Sequence, residues 1–300
     1  MATPVEGLED AHLPGLFDSA DRTSLRGQEE YGRTVRLSLV LAVVAAATGI
    51  SSWEVGTAGV DLAAIGTAVA LAALLLLQLA VGSSRPEDRW YDGRALAESA
   101  KSLAWRFSVG AAPFPKGTDE AAVERRFTDQ VSRLLDDAPT TAVPASDRPV
   151  VTERMSAIRA SDLATRKAVY LESRIADQQR WYSGKAAFND GRASRYRIAL
   201  VVVEVLGIAA ALAKAFGLVD LTLAGVVATV VAAGLAWTNL KQHSTLARAY
   251  SFAAAELAIT RARLDGVEEE AEWSAEVADA EQVVSREHTM WRASRSRASD

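Results

Sequence analysis

The sequence predicts an all-α membrane protein, with two two-helix transmembrane hairpins and long cytosolic helical extensions. Four apolar stretches support this prediction, because roughly 17–25 apolar residues suffice for a helix to cross a hydrocarbon core about 30 Å thick. They occupy about 37–53, 62–84, 198–219 and 221–240. Hydrophobic residues make up 49% of the chain, but its mean hydropathy is only +0.05. The apolar residues are therefore concentrated in these stretches rather than spread along the chain.

Arginine and lysine residues outside the four stretches predict their orientation. They precede and follow each pair of stretches, whereas the two hairpin tips are nearly free of positive charge. The flanking residues are Arg22, Arg26, Arg33, Arg36, Arg85, Arg89, Arg94, Arg192, Arg195, Arg197, Lys241 and Arg248. Because Lys and Arg concentrate on the cytoplasmic side of membranes, we expect both termini and the region between the hairpins to be cytosolic.

Composition argues against most catalytic and nucleic-acid-binding functions. The chain has no cysteine, so it offers no thiol nucleophile, disulfide or cysteine-ligated metal site. Its three histidines lie far apart, and no glycine-rich phosphate loop or nucleophile elbow is present. A net charge of −5 is atypical of a nucleic-acid-binding protein. We therefore expect no enzymatic activity, no cofactor and no nucleic-acid partner.

The chain divides into four parts by composition. Residues 1–28 carry prolines and glycines with little periodicity, so we expect a flexible N-terminal tail. Residues 29–138 would form the first two-transmembrane unit with its cytosolic helices. Three prolines within 139–150 mark a linker, and residues 151–300 would form the second two-transmembrane unit.

Apolar residues spaced by three and four predict helices outside the membrane. One long helix is expected from about Thr152 to Arg197, continuing into the third apolar stretch. The fourth stretch would run on past Lys241 as one helix, since no Gly or Pro falls between Gly234 and Gly266. Beyond it, a heptad pattern predicts a seam that packs against another cytosolic helix. The seam comprises Leu246, Tyr250, Ala253, Leu257, Thr260 and Leu264.

Several cytosolic motifs carry a family resemblance. They are Trp90-Tyr91-Asp92-Gly93-Arg94-Ala95 with Trp105-Arg106-Phe107, Tyr170-Leu171-Glu172-Ser173-Arg174 with Trp181-Tyr182, and Ser285-Arg286-Glu287-His288 with Trp291. In this order around two hairpins they resemble the SLATT superfamily, the SMODS and SLOG-associating two-transmembrane effector domains. The chain looks like a tandem pair that covers nearly everything after about residue 28.

The resemblance implies a pore-forming or membrane-perturbing effector in a bacterial conflict system directed against phage. Members of this family occur beside nucleotide-synthesising and nucleotide-sensing proteins, so the resemblance implies such a partner. It also implies a multi-pass protein of the bacterial cytoplasmic membrane, in contact with the lipid bilayer and assembled as a homo-oligomer.

One carboxylate lies inside the third apolar stretch. Placing Glu204 at mid-membrane costs roughly 3 kcal/mol, which the nine Leu, Ile and Val residues between Ile198 and Leu212 nearly offset. We therefore expect Glu204 to face the bundle or line a water path, as the candidate pore residue. Alternatively, Glu204 snorkels to the cytosolic interface or bonds a neighbouring helix.

The candidate cytosolic packing and interaction residues are Trp90, Arg94, Glu98, Trp105, Tyr170, Arg174, Asp177, Trp181, Tyr182, Leu257 and Trp291. The tryptophans are expected to be core or interface anchors rather than a ligand cage. The charged residues form either a buried polar network or a solvated face. The network would group Glu98 with Arg94 and Lys101, and Glu172 with Arg174 and Asp177. Trp53 and Trp237 lie near span ends and fit an interfacial aromatic belt.

Three functions remain open at the level of sequence. The first is a non-enzymatic membrane effector whose spans form or widen a permeation path. The second is a membrane-anchored helical scaffold, and the third is an ordinary ion channel or transporter. Glu204 favours the first and third, because a tether has no use for a carboxylate within a span.

Overall fold

Helices dominate the computed structural model, which describes residues 7–50, 52–55, 59–117, 119–137, 144–218 and 224–282, without the side chains of 81–84. The helices are α1 Gly15–Gly49, α2 Leu62–Ser84, α3 Pro86–Val109, α4 Glu120–Asp136, α5 Glu153–Ala160, α6 Leu163–Tyr170, α7 Asp177–Ala215, α8 Ala224–Lys241, α9 His243–Asp265 and α10, described over 270–282. A 3₁₀ turn covers Asp10–His12, and a π-helix, Leu171–Ala176, joins α6 to α7. The predicted all-α fold is confirmed.

Four helical segments are long and apolar enough to cross a membrane: the whole of α1, Leu62–Ala80 within α2, and two longer segments that contain α7 and α8. The predicted membrane class is therefore confirmed. Helix α1 ends at Gly49, before the expected end near residue 53, because the chain then enters a short β-hairpin. Strand β1 (Glu54–Val55) pairs antiparallel with β2 (Val60–Asp61), a feature that the sequence did not predict. Asp61 then caps α2, because its carboxylate Oδ1 accepts a hydrogen bond from the backbone N–H of Ala63 at 2.9 Å.

The chain forms two compact units. The helical unit takes its described residues from 1–28, 86–183 and 252–300. The membrane unit takes its residues from 29–85 and 184–251, which contain the apolar stretches of the four spans.

The N-terminal residues are part of the core of the helical unit. Leu13 and Ala20 are fully buried and Phe17 is nearly so. Thr152 donates from Oγ1 to the carbonyl of His12 at 2.7 Å, which anchors this segment to the start of α5. The expectation of a flexible tail is therefore wrong for residues 7–28, while residues 1–6 lie outside the described part.

Within the helical unit, α1 and α3 approach so closely that only glycine fits at their contact. A Cβ on Gly93 would lie 2.8 Å from the backbone nitrogen of Ser24. A Cβ on Gly27 would lie 2.6 Å from the backbone nitrogen of Trp90. The Ser24 hydroxyl donates to the carbonyl of Trp90 at 3.0 Å, which holds the two helices at this distance.

The helix expected from Thr152 to Arg197 is interrupted. Helix α5 ends at Ala160, and Asp162 starts α6 by accepting the backbone N–H of Thr165 at 2.7 Å. The expectation of an unbroken helix is therefore wrong at Ser161–Asp162, where the Asp162 cap competes with continuation of the helix. Its predicted continuation into the third span is confirmed, because α7 runs from Asp177 to Ala215.

The fourth span does not continue into α9 as one regular helix. Gln242 adopts a left-handed backbone, with φ at +48°, and separates α8 from α9. Its N–H still bonds the carbonyl of Thr238, and its own carbonyl accepts the N–H of Leu246, each at 2.9 Å. The expectation of an unbroken helix past Lys241 is therefore wrong, and the two helices meet at a one-residue kink.

Small and hydroxyl-bearing residues line the helix contacts of the membrane unit. The hydroxyls of Thr48 in α1 and Thr67 in α2 lie 2.8 Å apart. In the second hairpin a Cβ on Gly207 would come 2.5 Å from Val227, so α7 and α8 pack closely at this glycine. Close approach through small residues is a common way for helices to associate in lipid.

Candidate functional site

Glu204 lies on the exposed surface of α7. It borders the side of α7 on which Leu200 and Gly207 contact α8, but its own side chain is exposed beside Val201 and Val205, which are 51% and 58% exposed. Among the described residues none forms a hydrogen bond or ion pair with Glu204. The expectation that Glu204 faces the bundle is therefore wrong within one chain, because the α7–α8 contact does not extend over this position.

A buried ion pair lies at the centre of the helical unit. Arg174 donates from Nε and Nη2 to the two carboxylate oxygens of Glu281, at 2.9 and 2.8 Å, and Tyr170 donates its hydroxyl to the same carboxylate at 2.9 Å. All three side chains are at most 2% exposed. Burial opposes the charge on Arg174, but the adjacent Glu281 outweighs it and raises the pKa of the guanidinium. Burial also raises the pKa of the Tyr170 hydroxyl well above its usual range.

Aromatic rings surround this ion pair. Trp105 and Trp273 both contact the Tyr170 ring edge-on, with centroids 5.7 and 5.8 Å away. Trp273 also donates its indole N–H to the carbonyl of Val109 at 2.9 Å, which binds α10 to the end of α3. Trp273 and Glu281 were not among the candidate packing and interaction residues, although both lie on the buried face of α10 with Val277. That i, i+4, i+8 spacing was the available signal.

Arg174 therefore belongs to a buried polar network, as one of the two alternatives expected, but the partners expected for it do not. Glu172 and Asp177 are exposed and pair with Arg180, at 2.9 and 3.5 Å. The π-helix includes both Glu172 and Arg174, and it directs them to opposite environments. The carboxylate that Arg174 binds comes instead from Glu281, 107 residues along the chain.

A second set of charged side chains, Arg94 with Glu98 and Asp21, is only partly buried. Arg94 contacts the buried carboxylate of Glu98 at 2.6 Å and that of Asp21 at 3.7 Å. Burial raises the pKa of Asp21, partly against the attraction of Arg94. Lys101, the other expected partner, instead binds Asp10 at 2.6 Å and lies over the ring of Phe17.

The remaining candidate residues divide between core and surface. Leu257 is 3% exposed, within a seam where Ala253, Thr260 and Leu264 are also buried. Tyr182 is buried, whereas Trp181 is 40% exposed. Trp90 is half-buried and stacks on Tyr91. Trp291 lies outside the described residues.

No metal-binding arrangement is found among the described residues, where no group of three or more His, Asp or Glu side chains converges. The geometry therefore describes a stabilising core in the helical unit and an exposed carboxylate on a span.

Two family models match the chain in tandem. Residues 14–167 match SMODS and SLOG-associating 2TM effector domain 3, and residues 170–291 match SMODS and SLOG-associating 2TM effector domain 1. The chain belongs to the SLATT superfamily. No curated protein and no solved structure is significantly similar to this chain.

Each SLATT domain supplies one hairpin, since the first match contains α1 and α2 and the second contains α7 and α8. The helical unit draws on both domains. Trp105 belongs to the first match and Tyr170 to the second, and their rings are in contact. The two SLATT domains are therefore joined through a common core in the helical unit.

Proposed function

We propose that this tandem SLATT protein is a non-enzymatic membrane effector that permeabilises the bacterial cytoplasmic membrane as a homo-oligomer. The observation that carries the proposal is the exposed Glu204 on a span. An unpaired carboxylate facing lipid costs roughly 3 kcal/mol at the membrane centre. Assembly of several copies removes that cost when Glu204 lines a shared water path.

The exposed surface around Glu204 supports assembly through α7. Its neighbours Val201, Val205 and Ile208 are each more than half exposed. Apolar residues of this kind gain little by exchanging contact with lipid for contact with another apolar helix. Glu204 is therefore the residue that favours helix contact over lipid contact. In the proposed oligomer, the carboxylate turns towards water and the surrounding apolar residues form helix contacts.

Topology is the second part of the proposal. Arginines flank both hairpins on the same side, and this bias supports a cytosolic location for the helical unit and both termini. From there the helical unit would receive the signal of a nucleotide-sensing or nucleotide-synthesising partner. Reporter fusions at Asp300 and within 139–150 test this placement. Activity of a periplasmic reporter at either position would contradict it.

Depolarisation of the host membrane tests the function itself. We expect expression of the full chain to collapse the membrane potential, and Glu204→Leu to weaken this effect without lowering the amount of inserted protein. Glu204→Gln should give an intermediate effect, because an amide keeps the path wet but removes the charge. Glu54→Leu is the matched control, since it removes an exposed carboxylate from the hairpin tip.

The outcomes separate the effector from its alternatives. Equal depolarisation by the parent protein and by Glu204→Leu would exclude Glu204 from the permeation path. No depolarisation by the parent protein, even when it is expressed with its genomic neighbours, would favour a membrane-anchored scaffold. A selective, non-toxic conductance would favour an ordinary channel.

A further inference from the structure

The membrane unit contains an apolar cavity of about 470 Å³ between α1, α7 and α8. Its walls include Leu39 and Val43 from α1, Ala199 and Val203 from α7, and Val230 and Trp237 from α8. Cavities of several hundred cubic ångströms with apolar walls are of the size that binds small ligands. Because the walls are apolar, the part of a ligand that enters the cavity must be largely hydrocarbon.

Each of the three helices carries a cation one turn beyond its part of the cavity wall. Arg36 precedes Leu39 by three residues in α1, and Arg192 precedes Tyr196 by four in α7. Lys241 follows Trp237 by four in α8. Residues three or four apart share one face of a helix, so the three cations continue the stripes that line the cavity. They lie at the arginine-bearing end of the spans.

Two aromatic side chains, Trp237 and Tyr196, lie at the end of the cavity nearest to these cations. The indole N–H of Trp237 donates to the hydroxyl of Tyr196 at 3.2 Å, and both residues line the cavity. The ammonium of Lys241 lies 4.9 Å from the centre of the Trp237 ring. This arrangement fixes the direction of Lys241 at the mouth of the cavity and matches the interfacial position of Trp and Tyr.

The three cations have no acidic partner in the part of the chain that the structure describes. Arg36 donates only to the carbonyl of Gly32, at 3.1 Å, and Arg192 lies over the ring of Phe188. Three unneutralised charges of one sign beside an apolar cavity favour an amphiphile with an anionic head. A second copy would bring the same positive charges to this mouth, so it fits poorly as the occupant.

We propose that this site binds one anionic phospholipid, with an acyl chain in the cavity and its phosphate on Lys241, Arg192 and Arg36. Basic pockets between spans on the cytoplasmic side are a recognised form of lipid binding. The assignment to the cytoplasmic leaflet rests on the proposed topology, whereas the preference for an anionic headgroup does not. Lipid binding is measured independently of membrane permeabilisation, so failure of one proposal can be distinguished from failure of the other.

Native mass spectrometry of the full chain in a zwitterionic detergent tests the proposal. The chain is titrated with phosphatidylglycerol and with phosphatidylcholine of the same acyl composition. We expect tighter binding of phosphatidylglycerol, weakened roughly fivefold for each cation removed in Arg36→Gln, Arg192→Gln and Lys241→Gln. Binding of phosphatidylcholine should stay unchanged in these variants. Arg197→Gln is the matched control, because it removes an exposed arginine from another face of α7.

A second arm tests the cavity. Ala199→Phe fills part of the cavity and should weaken the binding of both lipids, in a variant whose thermal unfolding matches that of the parent protein. If Ala199→Phe does not fold, short-chain phosphatidylglycerol replaces it and should bind more weakly than the long-chain lipid. Equal affinities for the two headgroups, or equal affinities for short and long chains, would overturn the proposal.

Discussion

Arg174 and Glu281 form a bidentate ion pair in the interior of the helical unit, with nitrogen–oxygen distances of 2.9 and 2.8 Å. Arg174 belongs to the π-helix and Glu281 to α10, so the pair joins segments that are distant in sequence. The Tyr170 hydroxyl provides the carboxylate with a third hydrogen bond. A buried charge pair of this geometry makes each partner indispensable to the other.

Removal of one partner should therefore cost more than removal of both. Glu281→Leu leaves the Arg174 guanidinium buried without a counter-charge, which should lower the free energy of unfolding by about 3–5 kcal/mol. The double variant Arg174→Met with Glu281→Leu should recover much of that loss, because no unpaired charge remains. Chemical unfolding of the full chain, followed by tryptophan fluorescence, measures both effects, since Trp105 and Trp273 adjoin the pair.

The double-variant cycle also defines the contrary outcome. If the two single variants each cost little and their effects add, then the ion pair contributes no coupling. Arg180→Met is a suitable control, because the Arg180 side chain is 63% exposed and its partners Glu172 and Asp177 are also exposed, so its loss leaves no buried charge.

The spans and the seam could be predicted because each depends on a local pattern. Hydropathy over a membrane-sized window identified the four spans, and α2 begins at the predicted Leu62. Spacing by four and three identified the seam, whose members Ala253, Leu257 and Leu264 are buried. In these cases a few consecutive turns of helix contain the whole signal.

Features that depend on distant contacts could not be predicted in this way. The pairing of Arg174 with Glu281 requires knowledge of which face of α10 meets the π-helix. The kink at Gln242 has no glycine or proline to mark it. Pro14 and Gly15 suggested a loose N-terminal tail, whereas burial of Leu13 and other apolar side chains stabilises that segment instead. Exposure of Glu204 likewise reflects helix packing, which composition does not determine.

Gly93 should tolerate no side chain. In Gly93→Ala the new Cβ would lie 2.8 Å from the backbone nitrogen of Ser24, so α1 and α3 must separate. Gly184→Ala is the matched control, because that helical glycine has no neighbouring atom within 4 Å. Thermal unfolding should show a loss of stability for Gly93→Ala and a gain of about 0.5–1 kcal/mol for Gly184→Ala. Equal shifts in the two variants would mean that α1 and α3 do not meet at Gly93.

Two neighbouring residues of α9 should respond oppositely to a charge. Leu257 is 3% exposed and Ile259 is 71% exposed. Leu257→Asp buries an unpaired carboxylate, which should cost several kcal/mol and open the helical unit to protease. Ile259→Asp should leave the digestion pattern unchanged, because its carboxylate remains in solvent. If Leu257→Asp also digests like the parent protein, the seam is a surface and does not hold α9 in place.

Mild acid should destabilise the membrane unit through His243. Its ring bonds the amide oxygen of Asn189 at 2.6 Å and stacks on Tyr196. Burial, with the charges of Lys241 and Arg192, lowers the pKa of His243 below its ordinary value of 6.5. The folded chain therefore binds fewer protons here than the unfolded chain, so this contribution to stability is present above pH 6.5 and is lost as the pH falls.

Thermal unfolding in a zwitterionic detergent, from about pH 8 to about pH 5, measures this loss. His243→Gln should flatten the pH dependence below neutrality, because an amide keeps a hydrogen bond to Asn189 but does not titrate. His12→Gln, in the helical unit, is the control histidine and should leave the profile of the parent protein. Addition of an anionic phospholipid should also flatten the profile, since a phosphate beside Lys241 would counter the charges that lower the His243 pKa. An unchanged profile in His243→Gln would assign the acid sensitivity to other groups.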